Sequence, residues 1–154
     1  MSNILIMENA KIIFRNFQGL ESKFNREGNK NFCLLIEDGA LADRLLQDGW
    51  NIKTLKPRDE DDEQKYYVQV TVSFDIMPPE VHMITKNNDT ILDSESIGVL
   101  DSADIITADV SVRPYNWEVN GKSGIKGYLK TLYVTIEENE FADKYRDLNG
   151  STTL

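Results

Sequence analysis

The chain has 154 residues, of which 40% are hydrophobic and 9% aromatic, and its formal net charge is −9. This composition fits one globular domain with a hydrophobic core and excludes wholesale disorder. No apolar run approaches the roughly 20 residues of a membrane-spanning helix, and the N-terminus lacks the basic region of a secretory signal. Cys33 is the single cysteine, which excludes an intrachain disulfide. The sequence therefore predicts a cytoplasmic protein.

Most of the predicted elements are strands. In chain order, apolar or alternating runs predict strands at 4–17, 31–37, 50–55, 66–74, 81–86, 105–112 and 128–136. Residues 66–74 alternate between apolar and polar side chains, which is typical of an antiparallel strand with one buried face. Residues 105–112 alternate in the same way, so that Ile106 and the even-numbered residues up to Val112 are predicted to face the core.

Two segments have helical patterns. Residues 39–48 follow Asp38, a predicted N-cap, and end before Gly49, a predicted C-cap. Residues 139–147 predict a second, short helix near the C-terminus. Short strands with one inserted helix favour a mainly β fold, namely an antiparallel OB-like barrel that carries a short C-terminal helix.

The basic residues are concentrated in two windows. Residues 11–30 hold five Lys or Arg against two Glu, and residues 111–130 hold four against one. The two windows together carry +6, so the rest of the chain carries −15. Charges more than about 10 Å apart are largely screened at ordinary salt, so a local surplus governs contact with a polyanion. Both windows also interleave aromatic rings with the cations, and these two kinds of group hold single-stranded nucleic acid.

The second window predicts a β-hairpin, because Asn120-Gly121 is a typical pair for a type I′ turn. Alternate residues of a strand share a face. The rings and cations predicted to share one face on either side of the turn are Tyr115, Trp117, Lys126, Tyr128 and Lys130. The alternative is that the three rings are core residues or cross-strand packing pairs. Core packing does not explain why cations share the face.

The first window predicts a long loop at 16–30 that edges a groove, with Phe17 or Phe24 placed to stack on a base. The alternative is an ordinary loop whose two Phe residues cover the mouth of the barrel. The predicted nucleic-acid-binding residues of both windows are Arg15, Phe17, Lys23, Phe24, Arg26, Lys30, Arg113, Tyr115, Trp117, Lys122, Lys126, Tyr128 and Lys130.

The remaining candidates for chemistry favour structural interpretations. His82 is the single histidine, and with one distant cysteine it does not form a zinc site of the usual kind. The acidic run 59–63 lacks the Gly and distant Glu of an EF-hand loop, so it is interpreted as a solvated loop. The sequence shows no phosphate-binding Gly-rich loop, Ser/His/Asp set or paired catalytic carboxylates. It therefore predicts a non-enzymatic protein without a cofactor or metal.

Five segments together resemble a known family. They are residues 12–17 (IIFRNF), 24–33 (FNREGNKNFC), 48–53 (DGWNIK), 55–58 (LKPR) and 113–117 (RPYNW). Their order is similar to that of small single-stranded DNA-binding proteins of tailed bacteriophages, over about residues 10–140. The resemblance implies an OB-like barrel and a role in replication or recombination in the host cytoplasm. Such proteins often end in an acidic tail, but here Lys144 and Arg146 interrupt the acids and the last six residues lack charged side chains.

The sequence thus predicts a protein that coats single-stranded DNA with little sequence preference. We expect residues 1–148 to form the binding domain and 149–154 a flexible end. Replication or recombination proteins and further copies of the chain are additional candidate partners. Two alternatives remain: an acidic protein-interaction or inhibitory module that mimics DNA, and a structural subunit of a virion.

Overall fold

The computed structural model describes residues 3–57, 59–61 and 63–137. The elements of this part, in chain order, are β1 (Leu5–Met7), β2 (Ile12–Asn16), β3 (Lys30–Ile36), α1 (Gly39–Asp48), β4 (Ile52–Leu55), β5 (Lys65–Val72), β6 (Glu80–Ile84), β7 (Asp89–Leu92), a 3₁₀ helix (Ile97–Asp101), β8 (Ile105–Val119) and β9 (Lys122–Ile136). The helix predicted at 139–147 and the flexible end predicted at 149–154 lie outside the described residues. No helix within them is long and apolar enough to cross a membrane.

The fold is mainly β, as predicted, and the strands form one sheet in the order β1-β8-β9-β5-β3-β2. β4 pairs with β5, and β6 pairs with both β7 and β9. Most neighbouring strands are antiparallel, but the sheet is mixed, because β9 runs parallel to β5 and to β6. Alternation of apolar and polar residues reports which face of a strand is buried but not which way its neighbour runs.

The two end strands of the sheet are consecutive in the chain. Residues 8–11 join β1 to β2, and within this link Ala10 N donates to Ala108 O of β8 at 2.7 Å. Lys11 O accepts from Leu35 N of β3 at 3.0 Å. The predicted strand 4–17 is therefore broken at residues 8–11, with one half on β8 and the other on β3. This arrangement is barrel-like, but no pairing joins β1 to β2 directly.

The longest elements, β8 and β9, form the predicted hairpin. Asn120 and Gly121 have φ of 52° and 78°, as the two central positions of a type I′ turn require. The register shifts between Ile105 and Thr107, where an extra residue enters the strand. Ile106 is consequently 59% exposed, and its predicted inward position is wrong.

The core lies on the inner face of the curved sheet. Val110, Leu132 and Val134 are buried there, and they alternate with exposed or half-buried neighbours on the outer face. Helix α1 begins and ends as predicted: the Asp38 side chain accepts from two backbone amides, and Gly49 ends the helix in the left-handed conformation. The outer face of the β8–β9 hairpin is therefore a regular surface on which side chains two apart stand side by side.

Candidate nucleic-acid interface

A row of paired residues crosses four strands on the outer face. Asn31 of β3 pairs with Thr71 of β5, Thr71 pairs with Tyr128 of β9, and Tyr128 pairs with Arg113 of β8. Adjacent strands lie about 4.8 Å apart, so Asn31 and Tyr128 are separated by roughly 10 Å. The sheet thus brings the end of the first basic window next to the second.

We call the half of the outer face nearest the hairpin turn the distal face. Its residues on β8 and β9 are Arg113, Tyr115, Trp117, Gly124, Lys126, Tyr128 and Lys130, and on the same face Val119 and Lys122 form the tip of the hairpin. Tyr115 and Lys126 are directly paired, as are Trp117 and Gly124. Lys130 is exposed at a second register shift, which sets it between the residues paired with Ser111 and Val112.

The rings of the distal face are accessible. Tyr115 is 57% exposed and Trp117 37% exposed, whereas Tyr128 is half-buried. The Tyr115 and Tyr128 rings meet edge to face with centroids 6.0 Å apart. Lys126 Nζ lies 5.1 Å from the Tyr128 centroid, within range of a cation–π contact. Tyr115 and Trp117 are therefore not core residues, whereas Tyr115 and Tyr128 do form a cross-strand packing pair, as the alternative stated.

Trp117 lies over Gly124, and the glycine permits the close approach. A Cβ atom at position 124 would stand 2.9 Å from Trp117 Cζ2, closer than carbon atoms pack. The ring borders a groove of about 540 Å³ whose lining also includes Gln69, Thr71 and Lys126. The groove therefore runs along the distal face, with an aromatic ring and a cation on its walls.

The loop of the first window is tied to the same row by an asparagine pair. Asn31 Nδ2 donates to Asn25 Oδ1 at 3.0 Å. Asn25 Nδ2 in turn lies within hydrogen-bonding distance of the carbonyl oxygens of Leu20, Arg26 and Asn29. The Asn25 side chain thus fixes both limbs of the loop beside Asn31.

The loop carries its cations and a ring outward. Phe24 is 92% exposed, and Lys23 Nζ lies 5.8 Å from its centroid. Arg26 is exposed as well, whereas Lys30 is half-buried where β3 begins and pairs with Val72. Lys23, Phe24 and Arg26 therefore border the row from the side opposite the hairpin.

The sequence profile of one family matches residues 1–152, almost the entire chain, and that family is described as "Putative phage ssDNA-binding domain". The chain belongs to this family. The resemblance to phage single-stranded DNA-binding proteins seen in the sequence is thereby confirmed. No curated protein matches the sequence.

Solved structures with a similar fold include the single-stranded DNA-binding protein from bacteriophage Enc34. Its complex with single-stranded DNA has a TM-score of 0.57 at 12% identity, over 90% of this chain and 89% of that chain. Its C-terminal truncation has a TM-score of 0.54 at 10% identity, over 88% of this chain and 87% of that chain. At such low identity the likeness concerns the fold alone.

Two residues of the predicted site have structural roles instead. Phe17 is completely buried and stacks on Phe32, with ring centroids 5.0 Å apart. Arg15 Nη1 donates to the carbonyl oxygens of Leu100 and Ala103, both at 2.7 Å. The prediction that Phe17 stacks on a base conflicts with its burial, and the Arg15 guanidinium is engaged in holding the 3₁₀ helix segment. Both contacts span more than 10 residues of sequence, so spacing gave no sign of them.

Two aromatic residues of the outer face were missed by sequence reasoning. Tyr67 shares the outer face of β5 with Thr71 and pairs with Lys53 of β4. Phe14 has a positive φ of 51°, is 59% exposed and contacts Tyr67 edge to face at 5.4 Å. Alternation along 66–74 already placed Tyr67 on the polar side, which was the available signal.

Cys33 of β3 pairs with Gln69 of β5 and is buried. Burial raises the pKa of its thiol to about 11, although the positive charge of Lys53 acts in the opposite direction. The thiol is therefore neutral at physiological pH and behaves as a small apolar side chain.

Proposed function

We propose that the distal face and the adjoining loop form one binding surface for single-stranded DNA. The proposal is supported above all by the row of paired residues from Asn31 to Arg113. This row brings the aromatic rings and cations of residues 11–30 next to those of residues 111–130, although the two windows are far apart in sequence. Exposed Tyr115, Trp117 and Phe24 offer flat surfaces on which bases stack.

The phosphates would be neutralised by the cations that flank these rings. They are Lys23, Arg26, Arg113, Lys126 and Lys130. Stacking and phosphate contacts are tolerant of base identity, so we expect little sequence preference. In this proposal the protein acts by binding without chemistry, in the cytoplasm of the infected bacterium, during replication or recombination.

The test is a titration with a short oligo-dT at several salt concentrations. Each phosphate neutralised on a single strand contributes about −0.7 to the slope of log affinity against log salt. The triple variant Arg113→Ala, Lys126→Ala, Lys130→Ala should therefore bind more weakly, with a slope shallower by about 2. Lys86→Ala, in the turn between β6 and β7, serves as the control and should leave the slope unchanged. An unchanged slope in the triple variant would contradict the proposal.

A further inference from the structure

The outer face continues beyond Lys130 into a second half with a different character. His82 of β6 pairs with Ile91 of β7 and with Tyr133 of β9, and Tyr133 pairs with Asp109 of β8. We call this row, together with the side chains of Glu80 and Asp89, the proximal face.

A hydrogen-bonded stack forms the centre of the proximal face. The His82 and Tyr133 rings are nearly parallel, with centroids 4.5 Å apart and planes inclined by 7°. His82 Nδ1 lies 2.9 Å from Asp89 Oδ1, and Nε2 lies 3.1 Å from Glu80 Oε1. The histidine is therefore held on both edges, and the Tyr133 ring is presented at a fixed position.

The proximal face is apolar at its centre and negative at its rim. Ile91 is 69% exposed and Tyr133 37% exposed. The rim carries three carboxylates, Glu80, Asp89 and Asp109, and the row itself contains no Lys or Arg. Exposed apolar area bordered by charge of one sign is typical of a surface that binds a partner of the opposite charge.

The hairpin tip has the complementary character. Val119 is 59% exposed and pairs with Lys122, the first residue after the turn. An exposed apolar side chain and a cation thus stand side by side on one face of the hairpin tip, whereas the exposed Glu118 lies on the other face. These groups complement the exposed Ile91 and the neighbouring carboxylates in polarity and in the sign of their charge.

We propose that the proximal face binds the hairpin tip of a second copy of this chain. The contact joins two different surfaces, so it leaves one free tip and one free proximal face at the ends and can propagate head to tail. The net charge of −9 opposes association of copies free in solution. On one DNA strand neighbouring copies are held at high effective concentration, which favours the contact there.

The proposal rests on the proposed function, because single-stranded DNA aligns the copies. Its consequence is cooperative coating of long strands, with Lys122 engaged by the neighbouring copy and the remaining cations by phosphates. A short oligonucleotide that holds one copy offers no neighbour. Binding to it therefore reports the distal face alone.

The experiment compares the binding of the protein to long poly-dT with its binding to an oligo-dT that accommodates a single copy. The readout is the clustering of protein molecules on poly-dT that is only partly covered.

Ile91→Lys places a cation where the tip of the next copy would dock. Because like charges juxtaposed in an interface cost several kcal/mol, cooperativity should fall roughly tenfold or more. Affinity for the short oligonucleotide should not fall. Leu46→Lys, at an exposed position of α1, controls for the added charge.

A charge exchange completes the test. Lys122→Glu should reduce clustering, and the double variant Lys122→Glu, Ile91→Lys should regain it, because the charges are opposite again. Clustering of the Ile91→Lys variant equal to that of the Leu46→Lys control would overturn the proposal and assign the proximal face to another partner. If the wild-type protein does not bind the short oligo-dT at all, that result would instead contradict the proposed function.

Discussion

The distal and proximal faces share strands β8 and β9, yet their charged side chains are of opposite sign. Both present aromatic rings outward from β9, Tyr128 in the distal face and Tyr133 in the proximal face. The neighbours of Tyr128 are Arg113 and Lys126, whereas Tyr133 pairs with Asp109. An exposed ring alone therefore does not identify a nucleic-acid site; the charge beside it decides which partner is attracted.

Replacing one aromatic ring on each face with alanine should give the largest difference between the two faces in affinity for a short oligo-dT. Tyr115→Ala should weaken binding of a short oligo-dT by about 1–3 kcal/mol, the usual contribution of one base stacked on an aromatic side chain. Tyr133→Ala is the matched change on the proximal face and should leave that affinity unchanged. Equilibrium titration of both variants measures the difference. Equal losses would show that the two faces do not differ in function.

The two faces should also differ, by a smaller amount, in how the pH changes their contribution to the free energy of unfolding. The hydrogen bond to Asp89, and to a smaller extent the hydrogen bond to Glu80, raises the pKa of His82 above its ordinary value of 6.5. A raised pKa in the folded state means that this stabilisation is fully present below about 6.5 and is lost as the pH rises through the folded-state pKa. Over this range, the free energy of unfolding should decline more in the wild type than in His82→Gln.

Urea unfolding at several pH values measures this difference between the two proteins. Binding of a short oligo-dT should be the same in the wild type and His82→Gln throughout that range, because the distal face contains no histidine. Parallel pH profiles of unfolding in the two proteins would contradict the assigned role of His82.

Much of the fold was predictable because its signals are local. Asp38 and Gly49 mark the ends of α1, and Asn120-Gly121 marks the turn of the long hairpin. The extra residue at Ile106 was not predictable from alternation, since a bulge is set by how two strands fit together. The parallel pairing of β9 with β5 and β6 was not predictable either, because it depends on the path of the whole chain.

The candidate site was predictable where it follows strand periodicity and less so in the loop. Alternation alone placed Tyr115 and Trp117 together on the exposed side of the hairpin. In the loop, Phe17 and Phe24 are alike in sequence terms, but one is buried against Phe32 and the other is 92% exposed. Contacts with residues far along the chain make that difference, and they have no local signature.

Tryptophan fluorescence tests the central claim most directly, because the two tryptophans differ in exposure. Both border the groove of the distal face, but Trp50 is buried in the core at 3% exposure, whereas Trp117 is 37% exposed. Adding oligo-dT should quench the emission of the wild type, and Trp117→Phe should remove most of that quenching. Quenching that persists undiminished in Trp117→Phe, or emission that does not change when DNA is bound, would contradict a binding surface on the distal face.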